Sequence, residues 1–291
     1  MFRHVDRNEI VSIHGCRRGA RATTHAQHMN ENDGTLPPPS PWTEFSTGER
    51  AARPTSEWLA KTLAMLACWR ADVWFLFRNA IRIASANRWK TGCCMMAGLV
   101  VIFGLMPVDL ILLEHIRIVG GANDDGHINA IARWLSYWGD FAGLNLFVFA
   151  TLAVFAFVRR SPFFRRLTIA AVLGTVLTGG VANVLRVSAG RARPGSKLAA
   201  GFYGPTLSAR KQSFPSAHTA SSFGACVPLA IAFPPVGVPL LAVSGGVAWS
   251  RMQNNCHHPS DVLASVMISL LFGIPLGLTV RRMRHGGTEM R

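Results

Sequence analysis

The sequence predicts an all-α fold, a six-span transmembrane helical bundle. Three observations lead there. Of the 291 residues, 49% are apolar and only 15% charged, against about 25% charge in an ordinary soluble domain. Six apolar blocks recur between residues 92 and 280. The formal net charge of +15 comes from Lys and Arg that punctuate those blocks, a pattern of basic membrane flanks. The basic residues form no single domain with interleaved aromatics, so nucleic acid is not an expected partner.

Residues 1–55 are polar and irregular, and "NENDGTLPPPSPW" reads as a disordered linker or tail. The opening residues lack the basic patch and short apolar core of a cleavable signal peptide. Residues 56–91 mix Leu, Ala, Trp and Phe with Arg70, Arg78, Arg82, Arg88 and Lys90. They are expected to form an amphipathic segment of one or two helices, either against the membrane surface or packed on the rest. Residues 92–284 are expected to be the transmembrane domain, and 285–291 a cytoplasmic tail.

A helix needs roughly 20 residues to cross a bilayer. The block 92–113 meets that length, with Asp109 near its far end, where full burial is not required. The block 141–158 has Trp138 at its edge as an interface aromatic. The third block is 167–185. Blocks 219–233 and 236–250 are short, flank Pro234 and Pro235, and Pro228 is expected to interrupt the first of them. They fit only inside a bundle that accommodates them. The block 262–280 is the sixth, and small residues in blocks three, five and six permit close helix packing.

The charges give an orientation. Arg82, Arg88 and Lys90, then Arg159, Arg160, Arg165 and Arg166, then Arg281, Arg282 and Arg284 fall on one side of a six-span arrangement. The positive-inside rule makes that side, with both termini, cytoplasmic. Three loops, 114–137, 186–218 and 250–261, then lie outside. Two of them carry Arg186, Arg191, Arg193, Lys197, Arg210, Lys211 and Arg251. Positive charge placed outside opposes the rule, and an anionic substrate would account for it.

Those loops read "RVSAGRARP", "SFPSAH" and "SRMQNNCHHPSD". They supply fixed cations whose guanidinium forks match phosphate oxygens. They also supply a helix start with free amides, and histidines with a carboxylate four residues beyond His257. These are the ingredients of phosphoryl transfer. A metal reading of Cys256 beside His257 and His258 competes. The six cysteines have no CxxC spacing, however, and no second ligand cluster is evident, so the metal reading is the weaker one and no cofactor is assigned.

Three ordered motifs carry a resemblance. Arg186, six residues and Arg193-Pro194 come first. Pro215-Ser216-Ala217-His218 follows. The third is Ser250-Arg251, five residues, His257, three residues and Asp261. The stretch from about residue 92 to 280 resembles the type 2 phosphatidic acid phosphatase (PAP2) superfamily, which includes membrane lipid phosphatases and vanadium haloperoxidases. Two positions depart from the family pattern. Arg186 stands where a Lys is usual, exchanging an ammonium for a planar fork. Ala217 stands where a Gly is usual, which would strain a backbone that needed positive φ.

The resemblance implies a six-span bundle of the PAP2/haloperoxidase type. It implies metal-independent hydrolysis of a lipid phosphomonoester or pyrophosphate at the outer membrane–water interface. His257 would attack phosphorus to form a phosphohistidine. Asp261 would hold its other ring nitrogen, and His218 would protonate the leaving oxygen and then activate water. Arg186, Arg193, Arg251, Ser216 and the Ala217 amide would hold the phosphate oxygens. The implied setting is a bacterial inner membrane with the site facing the periplasm. Undecaprenyl diphosphate, phosphatidate, phosphatidylglycerol phosphate and lipid A phosphates are the implied partners. The rivals are a phosphotransferase using the same site, a haloperoxidase, and a catalytically silent scaffold or transporter. His258 is read as loop, Arg191 at most as steering charge, and Asp109 is given no role.

Overall fold

The computed structural model describes residues 54–121, 126–139 and 141–286, and among these every regular element is a helix. The linker expected over 1–55 lies outside the described residues except at its end, as does the tail beyond residue 286. The first helix, α1 (Pro54–Ala86), runs unbroken to Asn87, and α2 (Arg88–Leu105) starts at the next residue. Asp72, Leu76 and Ala80, each one turn from the next, form the narrow buried face of α1. Asp72 accepts from Arg165 Nε at 2.6 Å and Arg166 Nε at 3.0 Å, which clamps α1 to the start of α6 (Pro162–Ala189).

A 3-10 turn, Met106–Val108, carries α2 into α3 (Asp109–Val119). The next helix, α4 (Gly126–Trp138), lies where the sequence suggested loop. The expected outer loop 114–137 is therefore largely helical: Ala132 and Ser136 face inward, and the segment packs on α8 (Pro234–Gln253). A π-type turn, Phe141–Asn145, kinks at Gly143 and leads into α5 (Leu146–Val158). The last four helices are α6, α7 (Ala217–Ala232), α8 and α9 (Pro259–Gly286).

The stretches Arg88–Val119, Pro162–Ala189 and Pro259–Arg284 are each long and apolar enough to cross a membrane. The bent pair of Gly126–Trp138 and Gly143–Val158, 52° apart, makes a fourth if taken as one span. The chain is an integral, multi-pass membrane bundle. All six apolar blocks fall on helices.

The helix α7 sits centrally, packed on α6, α8 and α9. Pro228 does not interrupt it. A proline removes the amide that would bond the carbonyl four residues back, here that of Gly224. Gly174 of α6 faces this carbonyl with no side chain, and a Cβ there would collide with it. The two backbones therefore approach as only small residues allow. Hydroxyls reinforce the contact. Thr178 Oγ1 donates to the Ala220 carbonyl at 2.8 Å, Ser269 Oγ to the same carbonyl at 3.1 Å, and Ser265 Oγ to that of Ser216 at 2.9 Å.

At one end of the bundle, Phe163, Phe164 and Phe233 pack edge to face, and Arg284 lies over two of these rings. At the other end α6 stops at Gly190, whose φ of 63° is a left-handed cap. The chain turns there into a 190–216 segment that lies across the ends of α8 and α9.

Close α6–α7 contact predicts a contrast between two glycines. Gly224→Ala drives a methyl into Gly174 and Thr178 and should cost about 2 kcal/mol of stability. Gly104→Ala enters open space and should be near neutral. Thermal unfolding in detergent measures both, and equal melting temperatures would dismiss the close-packing account.

Candidate active site

The three motifs draw on six places in the chain. Arg186 is in the last turn of α6, Arg193 in the following segment, Ser216 to His218 at the start of α7, and Arg251 in the last turn of α8. His257 lies in the tight 254–258 connection and Asp261 in the first turn of α9. Arg186 and Arg251, expected in loops, are therefore on helices, which fixes where their side chains leave the backbone.

The His257 ring is 1% exposed. Its Nδ1 lies 2.7 Å from the Ser213 carbonyl and 3.8 Å from Asp261 Oδ2. The nitrogen expected to meet Asp261 thus faces both groups, the Ser213 carbonyl at hydrogen-bond distance and the Asp261 carboxylate at ion-pair distance. A backbone carbonyl takes that nitrogen, which fixes the proton on Nδ1 and leaves Nε2 with a lone pair. The carboxylate is shared among several donors. Asp261 accepts from Ser213 Oγ at 2.6 Å, from the His258 amide at 2.8 Å and from Arg191 Nη1 at 2.6 Å. His258, read as loop, is buried with Nδ1 at 3.2 Å from the same carboxylate. Asp261 acts on His257 both directly, by its charge, and through Ser213, whose hydroxyl it holds while the Ser213 carbonyl holds the ring.

Burial keeps the His257 ring below the ordinary imidazole value of 6.5. Arg251 and Arg193 push the same way, and Asp261 pulls against them. A neutral ring with a free Nε2 is the form that can act as a nucleophile.

Arg191 is the residue that the sequence reading undervalued. It is buried, and its fork spans two carboxylates: Nη1 to Asp261 Oδ1 at 2.6 Å and Nη2 to Asp109 Oδ2 at 2.7 Å. Asp109 is 1% exposed, against the expectation that it need not be buried. It also accepts from the Ser260 amide at 3.0 Å and from the Ser260 hydroxyl. A signal was present. A lone carboxylate inside an apolar helix needs a buried cation, and "RVSAGRARP" offers more arginines than the motif uses. Ser213 and Ser260 carried no such signal.

Arg251 is buried and donates through Nη1 to Ser136 Oγ of α4. The Nε–H groups of Arg186 and Arg193 are buried and meet no acceptor among the described residues. Ser216 occupies the N-cap position of α7, yet its Oγ caps no backbone amide; it accepts from Thr219 Oγ1 at 3.0 Å. Ala217 opens the helix with negative φ, so its side chain imposes no backbone strain. Arg186, Ala217 and His218 line a cavity of about 360 Å³ that descends between α6 and α7 past Thr175, Gly179 and Asn183. Arg193, Lys197, Arg210 and Asn255 line a second, of about 580 Å³, on the loop side. Among the described residues, no three His, Cys, Asp or Glu side chains gather where they could hold one metal ion.

The buried network makes a prediction. Asp109→Ala leaves Arg191 with one carboxylate and should destabilise the chain by about 3 kcal/mol or more. Asp109→Asn should recover part of that. Urea or thermal unfolding in detergent reads the difference, and a neutral Asp109→Ala would refute the coupling.

Among curated proteins, the chain is 29% identical over 123 residues to the lipid A 1-phosphatase of Porphyromonas gingivalis. The alignment covers 41% of this chain and 25% of that protein, so the chain matches about a quarter of the relative's length. Among solved structures, LpxE of Aquifex aeolicus is 20% identical with a TM-score of 0.41, covering 57% of this chain and 93% of that one. The PAP2-type phosphatidylglycerolphosphate phosphatase of Bacillus subtilis is 14% identical with a TM-score of 0.47, covering 70% and 98%. Residues 167–284, the stretch that contains all three motifs and both histidines, match the family model of the PAP2 superfamily.

Proposed function

We propose that the protein hydrolyses the phosphomonoester or diphosphate group of a membrane lipid. One observation carries this reading: half-buried Arg186 and Arg193 hold buried Nε–H donors that meet no acceptor among the described residues, close to a histidine held neutral. Buried unpaired donors are rare in native proteins, and a phosphate dianion would satisfy them. His257 Nε2 attacks phosphorus. The bond from phosphorus to the lipid oxygen breaks as His218 gives that oxygen a proton. Water, deprotonated by His218, then attacks the phosphohistidine; the P–N bond breaks and inorganic phosphate leaves. Arg186, Arg193 and Arg251, with Ser216 and the Ala217 amide, hold the three non-bridging oxygens as charge redistributes. Asp261 fixes the ring through Ser213. The guanidinium groups supply the positive charge that this chemistry needs.

In this reading the bundle crosses the membrane six times, with α7 and α8 as the two short spans. Residues 56–91 flank a catalytic domain over 92–284. Arg82, Lys90, Arg165, Arg166 and Arg282 mark the cytoplasmic side, which places the site outside, on the periplasmic face of a bacterial inner membrane. The lipid tail stays in the bilayer while its head group enters between α6 and α7, where the 360 Å³ cavity opens. The relatives' names make lipid A phosphates and phosphatidylglycerol phosphate the first substrates to offer, followed by phosphatidate and undecaprenyl diphosphate.

The test is phosphate release by detergent-solubilised protein in EDTA. His257→Ala should abolish turnover, and His218→Ala should lower kcat by about 10²–10⁴-fold. Arg186→Lys should keep activity. Release that survives His257→Ala would sink the phosphohistidine route, and acceptor-dependent product would turn the reading to phosphotransfer.

The pH profile follows from burial. A ring whose folded value lies below 6.5 stays neutral to lower pH, so the acid limb of kcat/KM should fall below pH 6.5. The same ring contributes stability that is complete above its unfolded value and is lost as pH falls through the folded one. An acid limb above pH 6.5 that is unchanged in His218→Ala would contradict the neutral-nucleophile assignment.

A further inference from the structure

We propose that the end of the bundle opposite the candidate active site holds an anionic phospholipid, seated in a groove between α1, α2 and α9. Two adjoining cavities make the groove. One, of about 380 Å³, lies between α1 and α9 and has Asn79, Arg82, Thr279 and Arg282 in its wall. The other, of about 580 Å³, runs between α2 and α9 past Met95, Met267, Leu271 and Ile274, with Lys90 at its rim. Ile83, Asn87 and Arg282 line both, so the two are continuous. The result is cationic and polar at one end and apolar along its length, the complement of a charged head group with an acyl chain.

The position on α9 separates this groove from the motifs. From Asp261 to Arg282 the helix rises about 31 Å, close to the roughly 30 Å thickness of the hydrocarbon core. The two sites therefore meet opposite bilayer faces. Trp89 is 78% exposed beside Lys90, as an aromatic at head-group level would be. The apolar walls belong to the stretches Arg88–Val119 and Pro259–Arg284, both long enough to cross the membrane, so hydrocarbon fills the groove in any bilayer.

Charge selects which lipid it is. Three other basic residues at this end have partners on the chain: Arg165 and Arg166 pair with Asp72, and Arg284 lies over Phe163 and Phe233. Arg82, Lys90 and Arg282 pair with no carboxylate among the described residues, and no acidic residue lines either cavity. A zwitterionic head group would bring a further cation to this cluster. An anionic one brings the missing counter-charge, as basic pockets between membrane helices do for acidic lipids. Such a lipid would also bridge the break at Asn87, tying α2 to an α1 whose own buried face is narrow. Bound only by the folded chain, it stabilises that chain.

The experiment uses the full chain in detergent, titrated with dioleoyl phosphatidylglycerol or dioleoyl phosphatidylcholine and read by native mass spectrometry and melting temperature. Phosphatidylglycerol should be retained and should raise the melting temperature, and phosphatidylcholine should do neither. Arg82→Gln with Arg282→Gln should weaken retention about tenfold. Arg88→Gln with Arg281→Gln, which removes two cations of the same end from outside the groove, should leave retention unchanged. A diazirine-bearing phosphatidylglycerol, used on the unsubstituted chain, should label α2 and the Met267–Leu278 stretch of α9, so the idea does not depend on a variant folding. Equal loss in both double variants would reduce the effect to a diffuse field. Equal retention of both lipids would remove charge selection. Labelling confined to the Arg186–His218 cavity would assign the lipid to the candidate active site, and a stable dimer that blocks labelling would assign the groove to a second copy. Each of these four results overturns the proposal.

Discussion

The guanidinium of Arg191, held between Asp109 and Asp261, is the contact on which the rest of the site depends. It joins three parts of the chain that are remote in sequence: the start of α3, the segment after α6 and the first turn of α9. A buried carboxylate left alone is costly to desolvate. Here each oxygen is met. Asp109 takes Arg191 and Ser260, and Asp261 takes Arg191, Ser213 and the His258 amide. A lysine could not serve both carboxylates with one planar fork. Because Asp261 also fixes Ser213, and the Ser213 carbonyl fixes His257, the orientation of the His257 ring is inherited from this network.

The network needs helices that end in the right places, and close packing supplies them. Gly174 and Gly224 let α6 and α7 approach backbone to backbone, so that Arg186 at the end of one and Ala217–His218 at the start of the other share a cavity. Hydroxyls of Thr178, Ser265 and Ser269 satisfy carbonyls between helices that water cannot reach. Gly190 then turns the chain sharply enough for Arg191 to point back under the loop.

Positive charge does different work at the two ends. At the motif end Arg191 and Arg251 are buried, and half-buried Arg186 and Arg193 keep buried Nε–H donors that no acceptor meets among the described residues. At the other end, Asp72 and an aromatic cluster take Arg165, Arg166 and Arg284, while Arg82, Lys90 and Arg282 rim a groove. Burial distinguishes the ends. In a dry site a cation must meet a specific anion, whereas at a head-group surface it is solvated and selects by field.

The sequence by itself determined the helical class, the six apolar blocks and the three motifs, because hydropathy and spacing along the chain are local properties. The register of Arg251, His257 and Asp261 is of this kind, since a helix end, a short turn and a helix start leave those side chains little freedom. Tertiary structure alone decided the rest. It buried Asp109, gave it Arg191 from a distant segment, and set the Ser213 carbonyl closer to His257 Nδ1 than the Asp261 carboxylate. It also folded 126–138 into a helix that brings Ser136 to Arg251. Each of these is a pairing between a buried polar group and a partner far along the chain. The chain sequence records that such a group needs a partner, and only the packed helices determine which one reaches it.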